Sequence, residues 1–312
     1  MKIGILSRNH TLYSTQRLVE AGRERGHEMT LIDTLAVVVE INAKNEPIKV
    51  INKRPSTLAP SVWGFSKQST YSLPHFDAII PRIGTNVTKH GVAVIRQFEA
   101  RQITTTAASN AIAQSRNKLL SMQLLNKMGL PIPKTAAIAV PEALAVAVKS
   151  VGGTPVIIKL NQGTQGRGVI LARNLVTAEA VMNKFFEAKR QVLIQEYINE
   201  AAGQDTRIIV VGDHCVAAMK RQAANGDFRS NLHLGGTAVP IQADPKIATL
   251  AVAAAKAHGL AVAGVDILES SRGPLILEIN SSPGLEGIEG TTNINVATQI
   301  IQYLEQTLSS NR

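Results

Sequence analysis

An α/β protein of more than one lobe is what the sequence predicts. Three observations carry this: short apolar strands alternate with amphipathic helical segments in the first third, strands joined by tight turns dominate the rest, and 312 residues suffice for two or three compact lobes. Hydrophobic content of 45% with 18% charged residues is ordinary for a globular chain.

Taken in order, Lys2 to Leu6 is a short apolar strand. Ser14 is placed to cap an amphipathic segment running to Arg25, and Gly26 ends it. HEMTLID and FDAIIPRIG follow as strands, so this part is expected to form a small, mostly parallel sheet. Between Ile51 and Leu73 the pattern gives way to Ser, Pro and Lys around Trp63, the single tryptophan, which reads as a long loop. RNKLLSMQLLNKMG then has helical spacing and stops at Gly129 before Pro-Ile-Pro. TPVIIKL, GVILA and QVLIQEYI are strands, with a helix from Thr177 to Ala188 before the third. TRIIVVGDHCVAAMKRQ reads as two strands around Val-Gly-Asp-His, Pro245 to His258 as an Ala-rich helix, and VAGVDILESSRGPLILEIN as a hairpin turning at Ser-Ser-Arg-Gly. The last helix spans about Asn295 to Thr307.

Composition limits the function classes. No apolar run is long enough to cross a bilayer, and MKIGILSRNH lacks the apolar core of a signal peptide, so a cytoplasmic protein with no membrane partner is expected. Cys215 is the single cysteine, which excludes an intramolecular disulfide and a cysteine zinc site. The net charge of +10 fits acidic ligands or solvated basic faces; scattered basic residues and 4% aromatic content argue against a nucleic-acid platform.

Several polar groups interrupt the apolar strands. NQGTQGRGV places Gly163, Gly166 and Gly168 between two strands, where they can lay backbone N–H groups over phosphates or simply supply positive φ to a hairpin. Lys159 ends the strand before that loop; it either meets an anionic partner, for which a phosphate would serve, or reaches solvent at the edge. Glu196, in QEYI, ends another strand and can accept from a ribose hydroxyl. If the last hairpin turns near Arg272, Asp266 lies across from Glu278, and strand alternation sets Glu278 and Asn280 on one face while Leu277 and Ile279 point inward. Two carboxylates and an amide so placed suit Mg²⁺ or Mn²⁺; an ion pair with a nearby arginine is the alternative. FRSNLHLGG adds Arg229 and Asn231, a guanidinium and an amide able to hold a phosphate or a developing oxyanion. His233 is read as structural, and no Ser/His/Asp or Cys/His set suggests a side-chain nucleophile.

In order, the K-L-x-x-G-x-x-G-x-G, Q-E-Y-I, D-x-R, R-S-N and E-I-N-S-S-P-G motifs resemble the ATP-grasp superfamily. With KIGILSRNHTLYS, PRIGT, NKLLSMQLL, GDFRSNLHLGG and SPGLEGIE, the chain resembles RimK-type glutamate ligases over nearly its whole length. The stretch from about Arg54 to Leu73 departs from that pattern, as does Asn161-Gln162, where the family often has Glu. The resemblance implies an ATP-grasp fold with an N-terminal α/β domain (1–112), a central lid (113–198) and a C-terminal domain (199–312). It implies that Lys118 and Lys159 bind ATP phosphates under the loop of Gly163, Gly166 and Gly168, and that Glu196 and Tyr197 hold the adenine with Asp205 near the nucleotide. It sets Arg229 and Asn231 at the reacting groups, with Asp266, Glu278 and Asn280 as ligands of two Mg²⁺ or Mn²⁺ ions. The implied reaction joins L-glutamate to the acidic C-terminal tail of the small-subunit ribosomal protein S-six, through an acyl phosphate and with poly-α-glutamate as a further product, in a homotetramer. The alternatives are the same chemistry on a small carboxylate or cofactor tail, or a nucleotide-regulated ribosome-binding or RNA-binding protein.

Overall fold

The computed structural model describes residues 1–41, 46–51, 70–161, 168–188, 191–224 and 227–310. Trp63, Gly163 and Gly166 lie outside these. The chain divides into two compact units, Met1–Asn110 together with the C-terminal segment from Ala297, and Ala111–Val296.

The first unit is built on a parallel sheet. Strand β1 (Lys2–Leu6) is flanked by β2 (Glu28–Ile32) and β5 (Ala78–Pro81), with β6 (Thr104–Thr105) beyond, giving the order β2-β1-β5-β6. Because β1 has parallel neighbours on both sides, its apolar run is covered throughout, and Ile3, Ile5 and Leu6 are fully buried. Helix α1 (Tyr13–Glu24) connects β1 to β2. Its N-cap is Leu12, and Ser14, expected as the cap, is buried inside the first turn; Gly26 (φ +78°) does end the helix region. A small antiparallel ribbon of β3 (Lys49–Ile51) and β4 (Thr70–Ser72) borders the stretch around Trp63. Helix α2 (Thr88–Glu99), which the sequence reading did not assign, buries Val92, Ile95 and Phe98 at spacings of three. The C-terminal helix is tied to this unit by Glu305, which accepts from Arg25 and lies 2.7 Å from His27 Nε2.

The second unit begins within α3 (Ser109–Ser115), continues with α4 (Lys118–Lys127) and carries two antiparallel sheets. The smaller one, in the order β7-β10-β8-β9, comprises β7 (Thr135–Ile138), β8 (Val156–Leu160), β9 (Val169–Ala172) and β10 (Val192–Glu196). Helices α5 (Leu144–Ser150) and α6 (Leu175–Glu187) cover it through Leu144, Val148, Ala178 and Met182 against Val156, Ile158, Val192 and Ile194. Gly168 closes the β8–β9 connection: its carbonyl accepts from Leu160 N at 2.9 Å, its φ is +75°, and a Cβ there would meet Leu160 Cδ1 at 2.5 Å. Only glycine satisfies both demands.

The larger sheet runs β13-β12-β11-β14-β15: β11 (Gln204–Val211), β12 (His214–Gln222), β13 (Thr237–Pro240), β14 (Val262–Ser270) and β15 (Gly273–Asn280). Helix α7 (Pro245–His258) packs on it, started by Asp244 as N-cap with Pro245 at the first helical position and stopped by Gly259 at φ +67°. Helices α8 (Glu286–Thr292) and α9 (Val296–Ser310) complete the chain. The β14–β15 hairpin turns at Ser271-Arg272 and sets Asp266 across from Glu278. Its register shifts at the next pair, where Ile267 faces Ile276, so Leu277 is an extra, unpaired residue. This bulge corrects the expectation that Leu277 points into the core: Ile276 and Ile279 are buried, and Leu277 lines a cleft.

Candidate active site

The cleft lies within the second unit and is lined by Ser115 of α3, Lys118, Ser121 and Met122 of α4, Lys159 of β8, Thr135, Leu193 and Gln195 of the neighbouring strands, and Leu277, Glu278 and Ile279 of β15. An apolar wall thus faces a set of charges, the usual make-up of a small-molecule site.

Lys118 reaches the cleft because α4 starts where it does. Asn117 caps the helix by accepting from Leu120 N at 3.1 Å, which leaves Lys118 as the first helical residue. Asn161, almost completely buried at the end of β8, holds the same turn: its carbonyl accepts from Lys118 N at 3.2 Å, its Oδ1 accepts from Leu119 N at 2.9 Å, and its Nδ2 donates to Gln191 Oε1 at 2.7 Å. Asn161 therefore fastens the helix to the sheet, a role that its standing as a departure from the family pattern did not reveal. Lys118 Nζ donates to Glu278 Oε1 at 2.9 Å.

Lys159 is drawn into the cleft by its partner. Its Nζ donates to Gln195 Oε1 at 2.6 Å. Burial pushes this ammonium down to about 8; Glu278 and Asp266 oppose the shift and Lys118 adds to it. The second alternative, an ammonium in solvent at a strand edge, is not what the structure has.

Asp266 belongs to a ladder of alternating charge across three strands. Arg207, its cross-strand neighbour, donates to both carboxylate oxygens at 2.7 Å. Arg221 lies 3.0 Å from Asp266 and is bidentate to Asp205, its own cross-strand neighbour. Burial alone would raise Asp266, but the two guanidinium groups outweigh it and hold the carboxyl well below the ordinary range. Asp205 is pushed up by burial and by Asp266, against the pull of Arg221. The expected arginine alternative is thus present at Asp266, while Glu278 meets Lys118. Asp205, expected near the nucleotide, has both oxygens on Arg221 and is buried.

Asn280 lies opposite Gly264, and its Oδ1 accepts from Ser282 N at 2.9 Å, which starts the Ser-Ser-Pro-Gly turn. A Cβ at Gly264 would sit 2.9 Å from Pro283 Cβ, so glycine lets the turn fold back over β14. Among the described residues there is no group of three or more His, Cys, Asp or Glu fit to hold a metal. The donors present are two carboxylates and an amide, all hard oxygens, and such a set fits Mg²⁺ completed by water and phosphate.

The remaining expected residues are engaged elsewhere in the unit. Glu196 accepts from Lys134 N at 2.7 Å and pairs with Arg272. Tyr197 meets Phe228 edge to face at 6.5 Å. Arg229 is bidentate to Asp227, with Nη2 to Oδ2 at 2.8 Å, and Asn231 opens the short turn Leu232–Leu234. One contact escaped the sequence reading: buried His258 donates from Nδ1 to Ala254 O at 3.0 Å, so its Nε2 accepts from the Ser121 hydroxyl at 2.8 Å. Burial lowers His258, in keeping with a neutral ring tying α7 to α4.

The RimK-like ATP-grasp domain matches residues 115–304, and the RimK PreATP-grasp domain matches residues 1–59 and 66–112. The chain belongs to the RimK-like ATP-grasp family. It is an ATP-dependent ligase. Relatives include the probable alpha-L-glutamate ligases of Marinomonas sp. (strain MWYL1), 49% identical with 98% of this chain and 96% of that protein covered, and of Vibrio cholerae, 47% identical with 100% and 98% covered. Among solved structures, the RimK domain protein ATP-grasp from Sphaerobacter thermophilus aligns with a TM-score of 0.71 at 19% identity over 97% of this chain and 99% of that one. The ATP-grasp ligase PsnB complexed with a precursor variant, Mg and ADP aligns at 0.69 and 21%, over 98% and 97%. These likenesses are ones of fold.

Proposed function

We propose that this chain is an α-L-glutamate ligase that uses ATP to join an acceptor carboxylate to the amine of L-glutamate, releasing ADP and phosphate. The observation that carries this is the cleft where two lysines, Lys118 and Lys159, face Glu278 and the neighbouring Asp266 ladder. Cations for a polyphosphate and oxygen donors for its counterion stand on adjoining elements, and the relatives' shared name supplies the amino acid.

In this reading Lys118 and Lys159 neutralise the phosphates of ATP. Glu196 and Tyr197 border the base, and Asp205 acts at one remove, by holding Arg221 against Asp266. Asp266, Glu278 and Asn280 would hold Mg²⁺ or Mn²⁺, two ions in the fullest form, which neutralise phosphate charge when bound. Lys118 must then leave Glu278 for the nucleotide. The acceptor carboxylate oxygen attacks the γ-phosphorus and ADP departs. The free amine of glutamate attacks the acyl carbon, phosphate leaves, and the amine loses its proton. Arg229 and Asn231 are suited to the tetrahedral oxyanion, once Arg229 exchanges Asp227 for substrate. The acceptor of this reading is the acidic C-terminal tail of a small-subunit ribosomal protein, S-six, extended once or repeatedly, by a homotetrameric enzyme.

Incubation with ATP and labelled L-glutamate, with and without that ribosomal protein, followed by intact mass measurement, tests it. Mass increments of one glutamyl residue on the protein, lost in Glu278→Gln, are expected. Glutamate-independent ADP release would overturn the ligase reading, and label found only on a small molecule would overturn the acceptor.

A further inference from the structure

We infer that Gln195 is a positioning residue, which aims the Lys159 ammonium at the bound polyphosphate while leaving its charge uncancelled. The inference rests on the reading of Lys159 as a phosphate ligand.

Gln195 sits one residue before Glu196 on β10 and is almost completely buried. Its amide has only one workable orientation. Lys159 Nζ carries no acceptor, so the atom 2.6 Å away must be the amide oxygen. The amide nitrogen then donates to Thr135 Oγ1 at 2.8 Å, and the Thr135 hydroxyl donates to Pro133 O at 2.8 Å. Every proton in this row points the same way, from Lys159 to a backbone carbonyl beside β7. Reversing the amide would set two donors against each other at Lys159, so the row locks the side chain.

The choice of a neutral acceptor matters. Lys159 pairs across the ladder with Leu193, in an apolar part of the sheet, and needs a partner there. A carboxylate at position 195 would satisfy the ammonium and cancel the charge that a phosphate requires. An apolar side chain would leave the charge without a fixed acceptor. Glutamine holds the group in place and keeps the positive charge available for an anionic ligand.

The test is calorimetric binding of ATP and of adenosine to the full chain. Gln195→Met keeps length and packing but removes the row. It should weaken ATP about 10- to 100-fold, as loss of a hydrogen bond to a charged group does. Adenosine, which has no phosphate, should change by less than about twofold on the same argument. Lys159→Met should lose at least as much ATP affinity, and adding Gln195→Met to it should cause little further loss, because Gln195 acts through Lys159. Unchanged ATP affinity in Gln195→Met, equal losses for ATP and adenosine, or full additivity with Lys159→Met would each overturn the inference. Parent-like ATP affinity in Lys159→Met would instead remove the phosphate reading, and this inference with it. If Gln195→Met does not fold, Gln195→Glu decides: it retains shape and acceptor, and should weaken ATP selectively; ATP binding as tight as the parent's would overturn the positioning role.

Discussion

The charges around Asp266 are matched one by one, and this matching has consequences for single residues. Arg221 serves two buried aspartates at once. Replacing it with Met leaves Asp205 without its counter-charge and Asp266 with Arg207 alone, so denaturant unfolding should show a loss of about 3–5 kcal/mol. Lys256→Met, which removes an exposed pair with Asp213, should stay within about 0.5 kcal/mol. Lys159 gives a pH prediction whose two signs differ. Its ammonium titrates near 8 in the folded chain, against 10.5 for the free side chain, with Lys118, Glu278 and Asp266 as the charges that face it. ATP affinity should therefore fall as pH rises through 8. Stability from this group moves the other way: between 8 and 10.5 the unfolded chain holds the proton that the folded one has released, so stability rises with pH. Calorimetry and denaturation across pH 7 to 9.5 separate the two; ATP affinity that holds level would count against Lys159 as the ligand. Part of this was legible in the sequence. Lys159, Glu278 and Asn280 stood out as charged or amide groups at the ends of apolar strands. An arginine partner for the carboxylates was one of the two alternatives, but which arginines was not legible, because Arg207 and Arg221 become neighbours of Asp266 only through strand pairing, and Gln195 looked like any polar strand end.

At the level of elements, the site depends on how the first turn of α4 is moored to the end of β8. Asn161→Ala removes the acceptor for Leu119 N and the link to Gln191. It should cost about 1–3 kcal/mol and raise the KM for ATP, since Lys118 rides on that turn. Lower stability with an unchanged KM would show that Lys118 is positioned without this anchor. Elements bounded by strong local signals were legible from sequence: α7 carries Asp-Pro before it and Gly after it, and the β14–β15 hairpin shows alternation on both sides of Ser-Ser-Arg-Gly. Strand β7, with the weak contrast of Thr-Ala-Ala-Ile, left no pattern to read. The bulge at Leu277 was equally invisible, because an extra residue in an apolar run changes no composition. It breaks the alternation so that Ile276 and Ile279 face inward three residues apart. Leu277 is thereby freed to line the cleft beside Glu278, a use of bulges common near active sites. Gly264→Ala tests the other side of this hairpin: its Cβ would press on Pro283, so the turn after Asn280 must shift, and we expect about 1–3 kcal/mol of destabilisation in chemical unfolding.

For the whole molecule, the net charge of +10 is the property that no single site accounts for. The ladder of Asp205, Arg221, Asp266 and Arg207 cancels internally, and Lys118 with Glu278 does the same. The surplus therefore lies outside these pairs, and a net charge of this size gives the molecule a long-range field. Such a field attracts polyanions from a distance and is screened by salt over about 8–10 Å at moderate ionic strength. An acidic peptide acceptor, which lengthens its negative run with each glutamate, should feel it more strongly than a small substrate does. We expect kcat/KM for an acidic acceptor peptide to fall several-fold between about 50 and 300 mM salt, through KM rather than kcat. Acceptors carrying longer glutamate tails should show the steeper dependence. The KM for L-glutamate, whose binding is local, should change little over the same range. Initial rates measured by ADP release at fixed pH, with an inert neutral solute as the osmotic control, distinguish these outcomes. If a neutral acceptor peptide responded to salt as an acidic one does, the net charge would have no part in acceptor capture, and selection would have to reside within the cleft.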